Sequence, residues 1–225
     1  MRHVIDPAPA SSLLIAALAL VSCSAANPAA PAGEASSAPV PHIVVLGDSL
    51  AVSPTGSENF PAFLQRRLDH AGHRWRVVNA GAGGAVTADG LRRLDSLLTA
   101  EARILVLALG ANDGLRGLPV DGIEQNLTAI IERAQARGVL VLLCGMLVPP
   151  VHGWDYTIEF QRVFPRLAGK YGVPLVPFLL AKVALNASLN GPDGIHPNAA
   201  GAQQIADTVW PYLEEVLAAH PTVSR

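Results

Sequence analysis

The sequence predicts a three-layer α/β fold, in which helices cover both faces of a parallel sheet. Two observations carry this prediction. Short runs such as 43–46 and 104–109 are apolar at every position, as expected for strands buried on both faces. Between these runs, apolar residues recur at spacings of three and four, as in amphipathic helices. Strands that alternate with helices in this way are typical of a parallel sheet covered on both faces.

The predicted elements alternate along the chain, beginning at residue 43. Strands are expected over residues 43–46, 76–79, 104–109, 139–144 and 175–178. Helices are expected over 58–71, from an N-cap at Thr87 through Leu98, and over 121–137, 159–171 and 199–218. Half of the 225 residues are hydrophobic and 15% are charged, below the roughly 25% usual in soluble domains. A single domain with a sizeable core therefore accounts for the chain after residue 41.

The first 41 residues do not follow this alternation. Residues 13–21 form an apolar run that is too short to span a membrane but suits the hydrophobic region of a signal peptide. The run ends in Leu20-Val21-Ser22-Cys23, which resembles a bacterial lipobox, where the cysteine becomes the lipid-bearing N-terminus. Residues 24–41 are rich in Ala, Pro and Ser and cannot bury a core. We expect a signal peptide of lipoprotein type over 1–22, a tether over 23–41 and a folded domain over 42–220.

The same features predict location and partners. We expect an exported, monomeric protein held at the cell envelope by lipid on Cys23, with the outer membrane favoured because Ser24 is not an Asp-type retention residue. An ordinary secretory signal remains the alternative, since Arg2 is offset by Asp6. A net charge of −2 with no Lys/Arg run indicates no nucleic-acid partner. Cys144, the second cysteine, lies in an apolar strand and is expected to be a buried thiol.

Residues that can carry chemistry follow the predicted strands. Asp48-Ser49 comes after the first strand, and Asp193-Gly194-Ile195-His196 precedes the last helix. The C-terminal ends of parallel strands share one edge of the sheet, so these residues are expected to converge. Serine needs a base to become a good nucleophile, and an Asp three residues before a His can hold its Nδ1–H and leave Nε2 free for the serine proton. Each motif alone is also compatible with an ordinary turn.

Two further segments can supply hydrogen-bond donors to this edge. Gly84 ends a glycine-rich stretch after the second strand, and Asn112 follows the third strand. A glycine allows close approach of its N–H, and an asparagine amide donates from its side chain. Together with the Ser49 N–H, these groups can bind the oxyanion of a tetrahedral intermediate, where losing one donor costs about 3–4 kcal/mol. The alternatives are a tight turn at Gly84 and a local backbone bond at Asn112.

Taken in order, these segments resemble the four signature blocks of the SGNH (GDSL) hydrolases. The blocks are Gly47-Asp48-Ser49-Leu50, the Gly84 loop, Gly110-Ala111-Asn112-Asp113 and Asp193-Gly194-Ile195-His196, within residues 42–218. The stretch from Gly110 to Pro119 is most similar to the group of bacterial arylesterases, thioesterases I and lysophospholipases L1.

This resemblance implies a flavodoxin-like sheet of five parallel strands and a Ser-His-Asp triad. It makes Ser49 the nucleophile, His196 the base and Asp193 its orienting acid, with Ser49, Gly84 and Asn112 around the oxyanion. The implied reaction is hydrolysis of an ester or thioester through an acyl-serine, with neither a metal nor an organic cofactor.

The resemblance also bears on the substrate, which we expect to be a small-molecule or lipid acyl ester. In the related group the loop after the third block shapes the acyl pocket, which makes Leu115 and Leu118 candidate contacts. Trp154, from the loop after the fourth strand, is a third candidate. This chain departs from the group at Ala51–Gly56 and at Ala85, where many relatives have Asp. Both departures lie at the expected entrance to the active site rather than among the reacting groups.

Three alternatives remain open from the sequence. A carbohydrate O-deacetylase of the same fold would favour an aromatic-lined groove, whereas only 5% of the residues are aromatic. A non-catalytic flavodoxin-like binding lipoprotein would use Gly47 to Ser49 as a phosphate cradle, but it leaves Asn112, Asp193 and His196 without a role. A metal hydrolase can draw on Asp48, Asp113, Asp193 and His196, yet no H-E-x-x-H-type spacing is present.

Overall fold

The computed structural model describes residues 39–220 and confirms a three-layer α/β fold. The strands are β1 (His42–Gly47), β2 (Arg76–Asn79), β3 (Ala102–Ala108), β4 (Leu140–Cys144) and β5 (Leu175–Val176). The helices are α1 (Phe60–His70), α2 (Thr87–Leu97), α3 (Ala111–Leu115), α4 (Val120–Ala136), α5 (Trp154–Tyr171) and α6 (Ala199–Ala218). Short 3₁₀ turns cover Ser49–Ala51 and Pro150–His152.

The five strands form one sheet in the order β2-β1-β3-β4-β5, and every pairing is parallel. The chain moves outward from β1 to β2, then crosses back to β3 and continues to β5. Because crossovers between parallel strands are right-handed, this reversal places α1 on one face and α2, α4 and α5 on the other. Helix α6, which follows the last strand, shares the face of α1, against which it packs. In agreement, α4 packs against both α2 and α5. The reversal also opens a crevice beyond the C-terminal end of β1.

The core lies on both sides of the three central strands. The β1 residues from Ile43 to Leu46 and the β3 residues from Ile104 to Leu107 are almost fully buried, as continuous apolar runs require. Helix α2 lies so close to the sheet that a Cβ at Gly90 would fall 2.2 Å from Leu109 Cδ1. Cys144 is a buried free thiol, as predicted, and burial raises its pKa to about 12.

Several boundaries differ from the sequence prediction. Helix α2 has Val86 rather than Thr87 at its N-cap, because Asp89 accepts the Val86 N–H while Thr87 bonds to Asp113. Helix α3 was not predicted, and α5 begins five residues before the predicted position 159. Strand β5 ends at Val176 rather than at residue 178, and β3 extends from Ala102 to Ala108 instead of over 104–109.

The predicted signal peptide, Cys23 and most of the predicted tether lie outside the described residues. The domain boundaries, lipidation, export and monomeric state therefore stay predictions. Among residues 39–220, no helix combines the length and the apolar character that crossing a membrane requires.

Candidate active site

Ser49 lies where β1 ends, at the crevice edge of the sheet. Asp48 caps the 3₁₀ turn that follows, since its Oδ1 accepts the Leu50 N–H at 2.9 Å. Gly47 makes the sharp exit from the strand possible, because a Cβ there would lie 2.8 Å from that of Ala51. The turn leaves Ser49 partly accessible while Asp48 and Leu50 point inward.

Asp193 and His196 face each other across a turn that precedes α6. Asp193 Oδ1 accepts the N–H groups of Ile195 and His196, both at 3.0 Å, and its Oδ2 lies 2.6 Å from His196 Nδ1. These bonds, the one to His196 foremost, hold the pKa of Asp193 well below its usual range. Asp193 is therefore an anion near neutral pH, and it fixes the His196 tautomer with the proton on Nδ1.

The turn and the serine meet although 147 positions separate them in sequence. His196 Nε2 lies 2.9 Å from Ser49 Oγ. With Nδ1–H donated to Asp193, Nε2 carries the lone pair and can accept the serine proton. The structure thus brings together Ser49, His196 and Asp193, as the sequence predicts, in the geometry of a nucleophile, a base and an orienting acid.

The predicted oxyanion donors lie on two adjoining loops. Gly84 has a φ of +72°, a left-handed conformation that favours glycine. Asn112, in α3, donates one Nδ2 hydrogen to the Ala85 carbonyl at 3.1 Å, which leaves its second hydrogen for another acceptor. Within the described part of the chain, the N–H groups of Ser49 and Gly84 donate to no protein acceptor. Each of these three groups therefore has a hydrogen that no residue in the described part of the chain accepts.

Two buried carboxyl groups lie beneath this surface. Asp48 and Asp113 are almost fully buried, at 0% and 1% exposure. Burial raises the pKa of Asp48 to about 6, with the nearby Asp113 charge adding to the shift, and burial also raises the pKa of Asp113. Within residues 39–220, Asp48 Oδ2 has no hydrogen-bond partner. In the sequence both residues belong to the family-like blocks and are otherwise candidate metal ligands only. The described residues hold no cluster of three or more His, Cys, Asp or Glu side chains able to bind a metal.

The candidate substrate contacts lie on neighbouring loops. Leu115, at the end of α3, is 44% exposed, Leu118 is half-buried, and Trp154, the first residue of α5, is 69% exposed. The loops touch because His152 Nε2 lies 3.0 Å from the Leu115 carbonyl and the Tyr156 hydroxyl donates to the Leu118 carbonyl at 2.9 Å. Tyr156 was not predicted as part of this region, and its only sequence signal is its closeness to Trp154.

Comparison with known proteins agrees with the geometry. The model of the GDSL-like Lipase/Acylhydrolase family matches residues 45–204. Esterase TesA of Pseudomonas aeruginosa is 39% identical over 178 residues, which cover 78% of this chain and 89% of that protein. Thioesterase 1/protease 1/lysophospholipase L1 of Escherichia coli (strain K12) is 34% identical over 178 residues, covering 78% of this chain and 84% of that protein.

The likeness extends to three dimensions. A crystal structure of TesA matches with a TM-score of 0.74 and 38% sequence identity, covering 78% of this chain and 99% of the other. The sequence matches, the shared fold and the serine at the end of β1 all agree. The chain therefore belongs to the GDSL-like lipase/acylhydrolase family and is an ester hydrolase.

Proposed function

We propose that this hydrolase cleaves carboxylic esters and thioesters of apolar acyl groups through an acyl-enzyme on Ser49. The observation that carries the proposal is the continuous contact from Ser49 Oγ to His196 Nε2 at 2.9 Å and from His196 Nδ1 to Asp193 Oδ2 at 2.6 Å. A serine hydroxyl with a correctly oriented base is the arrangement that acyl transfer requires.

In the first step Ser49 Oγ attacks the acyl carbonyl while its proton passes to His196 Nε2. The tetrahedral intermediate collapses, the bond to the leaving alcohol or thiol breaks, and the leaving group takes the proton from Nε2. In the second step His196 removes a proton from water, which attacks the acyl-serine, and Ser49 recovers its proton as the carboxylic acid departs. Asp193 stays ionised throughout and stabilises the transient imidazolium.

The oxyanion formed in both steps is assigned to the N–H groups of Ser49 and Gly84 and to the Asn112 amide. Among residues 39–220 no acceptor takes the remaining hydrogen of any of the three, and the Gly84 and Asn112 loops are in direct contact through the Ala85 carbonyl. Donors of this kind act most strongly when fixed before the reaction, because they need no reorganisation as charge develops.

The preference for apolar acyl groups is supported by the side chains near the loops after β3 and β4. Leu115 and Trp154 expose much of their surface, and Leu118 is partly accessible. Exposed apolar side chains on the helix that carries Asn112, and on the loop in contact with it, favour contact with an acyl chain over contact with a sugar.

Hydrolysis of p-nitrophenyl esters from acetate to palmitate tests the proposal. We expect activity that falls by at least about 10⁴-fold in Ser49→Ala, as removal of a triad nucleophile does in other hydrolases. Ser96→Ala, an exposed serine on α2, is the matched control and should keep full activity. Turnover that persists in Ser49→Ala would overturn the mechanism, and activity confined to acetyl esters would point to a deacetylase.

We also propose that the chain is exported and carries lipid on Cys23, on the support of its lipobox-like sequence alone. Cell fractionation tests this, since the Cys23→Ala protein should leave the membrane fraction. An unchanged membrane fraction would remove Cys23 as the anchor.

A further inference from the structure

Side chains of α3 tie together the two loops that supply the proposed oxyanion donors. Asn112 Nδ2 donates to the Ala85 carbonyl at 3.1 Å, and Arg116 Nη2 donates to the Gly84 carbonyl at 2.9 Å. Both bonds end on the loop that carries the Gly84 N–H. They are partly or fully exposed to solvent, so on their own they resist only weakly a shift of one loop against the other.

The buried part of this connection is formed by Asp113 and Thr87. Thr87 is fully buried, its hydroxyl donates to Asp113 Oδ1 at 2.5 Å, and its N–H donates to Asp113 Oδ2 at 2.9 Å. Asn126 Nδ2, from α4, donates in turn to the Thr87 hydroxyl oxygen at 3.1 Å. Hydrogen bonds to a carboxylate in dry surroundings are strong, and removing one member leaves its partners buried and unpaired.

The contact between Thr87 and Asp113 lies close in sequence to the proposed oxyanion donors, Gly84 and Asn112. Asp113 directly follows Asn112 in a helix of five residues, and Thr87 lies three positions after Gly84. Any movement of Asp113 relative to Thr87 must therefore move the Asn112 amide relative to the Gly84 N–H. A misplacement of about 1 Å in a reacting geometry can cost on the order of 100-fold in rate.

From this arrangement we propose that Thr87 and Asp113 are positioning residues, which hold the Gly84 N–H and the Asn112 amide in register as one oxyanion hole. The inference rests on the proposed function. The Thr87–Asp113 contact is buried, so both residues act through their neighbours. Their contribution belongs to the transition state, because the oxyanion is present there and absent from the bound ester.

The first test compares Thr87→Val, which removes the hydroxyl at nearly constant volume, with Thr87→Ser, which keeps it. We expect Thr87→Val to lower kcat at least about 10-fold on p-nitrophenyl butyrate while KM stays within about twofold. Thr87→Ser should recover most of the rate. Thr208→Val is the matched control, since it deletes a hydroxyl that bonds the Gln204 carbonyl at 3.0 Å within α6, and it should leave kcat unchanged.

The second test is a double-mutant cycle with Asn112→Ala, measured on protein shown to be folded by circular dichroism. If Thr87 acts through the amide, Thr87→Val should cost little further rate once the amide is gone. Losses that multiply, or a normal kcat in Thr87→Val, overturn the inference. Should Thr87→Val fail to fold, Asp113→Asn takes its place, because it keeps the volume and leaves one oxygen instead of two to accept from the Thr87 N–H and hydroxyl.

The cycle also separates this inference from the proposed function. Full activity in Asn112→Ala would remove the oxyanion hole itself and the inference with it. A strong loss in Asn112→Ala beside normal kcat in both Thr87→Val and Asp113→Asn would overturn the positioning role alone.

Discussion

Two aspartates at the same edge of the sheet have opposite electrostatic surroundings. Asp193 keeps about half of its side chain in water and takes hydrogen bonds from two backbone N–H groups and from His196. Asp48 is fully buried, takes one N–H from Leu50, and has an oxygen without a partner in the part of the chain that the structure describes. The pKa of Asp193 is accordingly lowered, mainly by its bond to His196, and that of Asp48 is raised to about 6 by burial.

The difference shows how surroundings set the role of a carboxyl group. Donors and water stabilise the charged form, so Asp193 is a permanent anion able to hold an imidazole in one tautomer. Burial with few donors penalises charge, so Asp48 changes its protonation state within the range of physiological pH. Mutation of the exposed residue should therefore affect catalysis, and mutation of the buried residue should affect stability and its dependence on pH.

The largest expected effect is that of Asp193→Asn. The new amide nitrogen would face Nδ1 and favour the tautomer with hydrogen on Nε2, which cannot accept the serine proton. We expect kcat/KM to fall by about 10³–10⁴-fold, while the free energy of unfolding changes little because the side chain is half-exposed. Asp69→Asn, at an exposed aspartate of α1 bonded to Gln65, is the control in the same assays. An Asp193→Asn enzyme that keeps a tenth of the activity would contradict the assignment.

Asp48→Asn should produce a smaller effect, on the pH dependence of the free energy of unfolding rather than on catalysis. The folded state raises the pKa of Asp48 from 3.8 to about 6, so it holds the proton longer than the unfolded chain does. The resulting stabilisation is complete below about pH 4 and is lost as the pH rises through 6, a change of up to about 3 kcal/mol. Asp48→Asn removes this contribution.

The measurement is urea unfolding of wild type and Asp48→Asn at about pH 4 and pH 7.5. We expect the wild type to lose on the order of 2 kcal/mol more stability than the variant over this interval, whatever the absolute stability of the variant. Asp69→Asn should follow the wild type. Parallel pH profiles for wild type and Asp48→Asn would show that the buried carboxyl group does not titrate in this range.

The placement of the exposed Asp193 and its partners could be predicted from the sequence, whereas the buried surroundings of Asp48 could not. Ser49, Asp193 and His196 follow strand ends or precede a helix, and parallel topology alone brings such residues to one edge. The Asp193–His196 contact is local, since only three positions separate the two residues. The alternation of apolar runs and amphipathic helices also predicts the parallel sheet and its two helical layers, whereas the flavodoxin-like arrangement of the strands was implied by the family resemblance.

The features that could not be predicted from the sequence depend on packing between distant segments. Thr87 looked like an N-cap because its type suits one, but a bond to Asp113, 26 positions away, places it inside α2. Helix α5 starts at Trp154, where no apolar periodicity marks a helix, and Tyr156 in its first turn is held by the Leu118 carbonyl. Local propensity is overridden where a distant partner supplies a better hydrogen bond.

The aromatic side chains of α5 show the same contrast between exposed and buried groups. The smallest expected effect is that of replacing the exposed one, Trp154. Phe160 is fully buried, whereas Trp154 leaves 69% of its surface exposed. Trp154→Ala should change the free energy of unfolding by less than about 0.5 kcal/mol. If the indole covers part of a bound acyl chain, kcat/KM should fall several-fold on long esters and stay unchanged on acetate. Leu185→Ala, at a fully exposed apolar residue, is the control, and equal rates at every chain length would remove Trp154 from the substrate contacts.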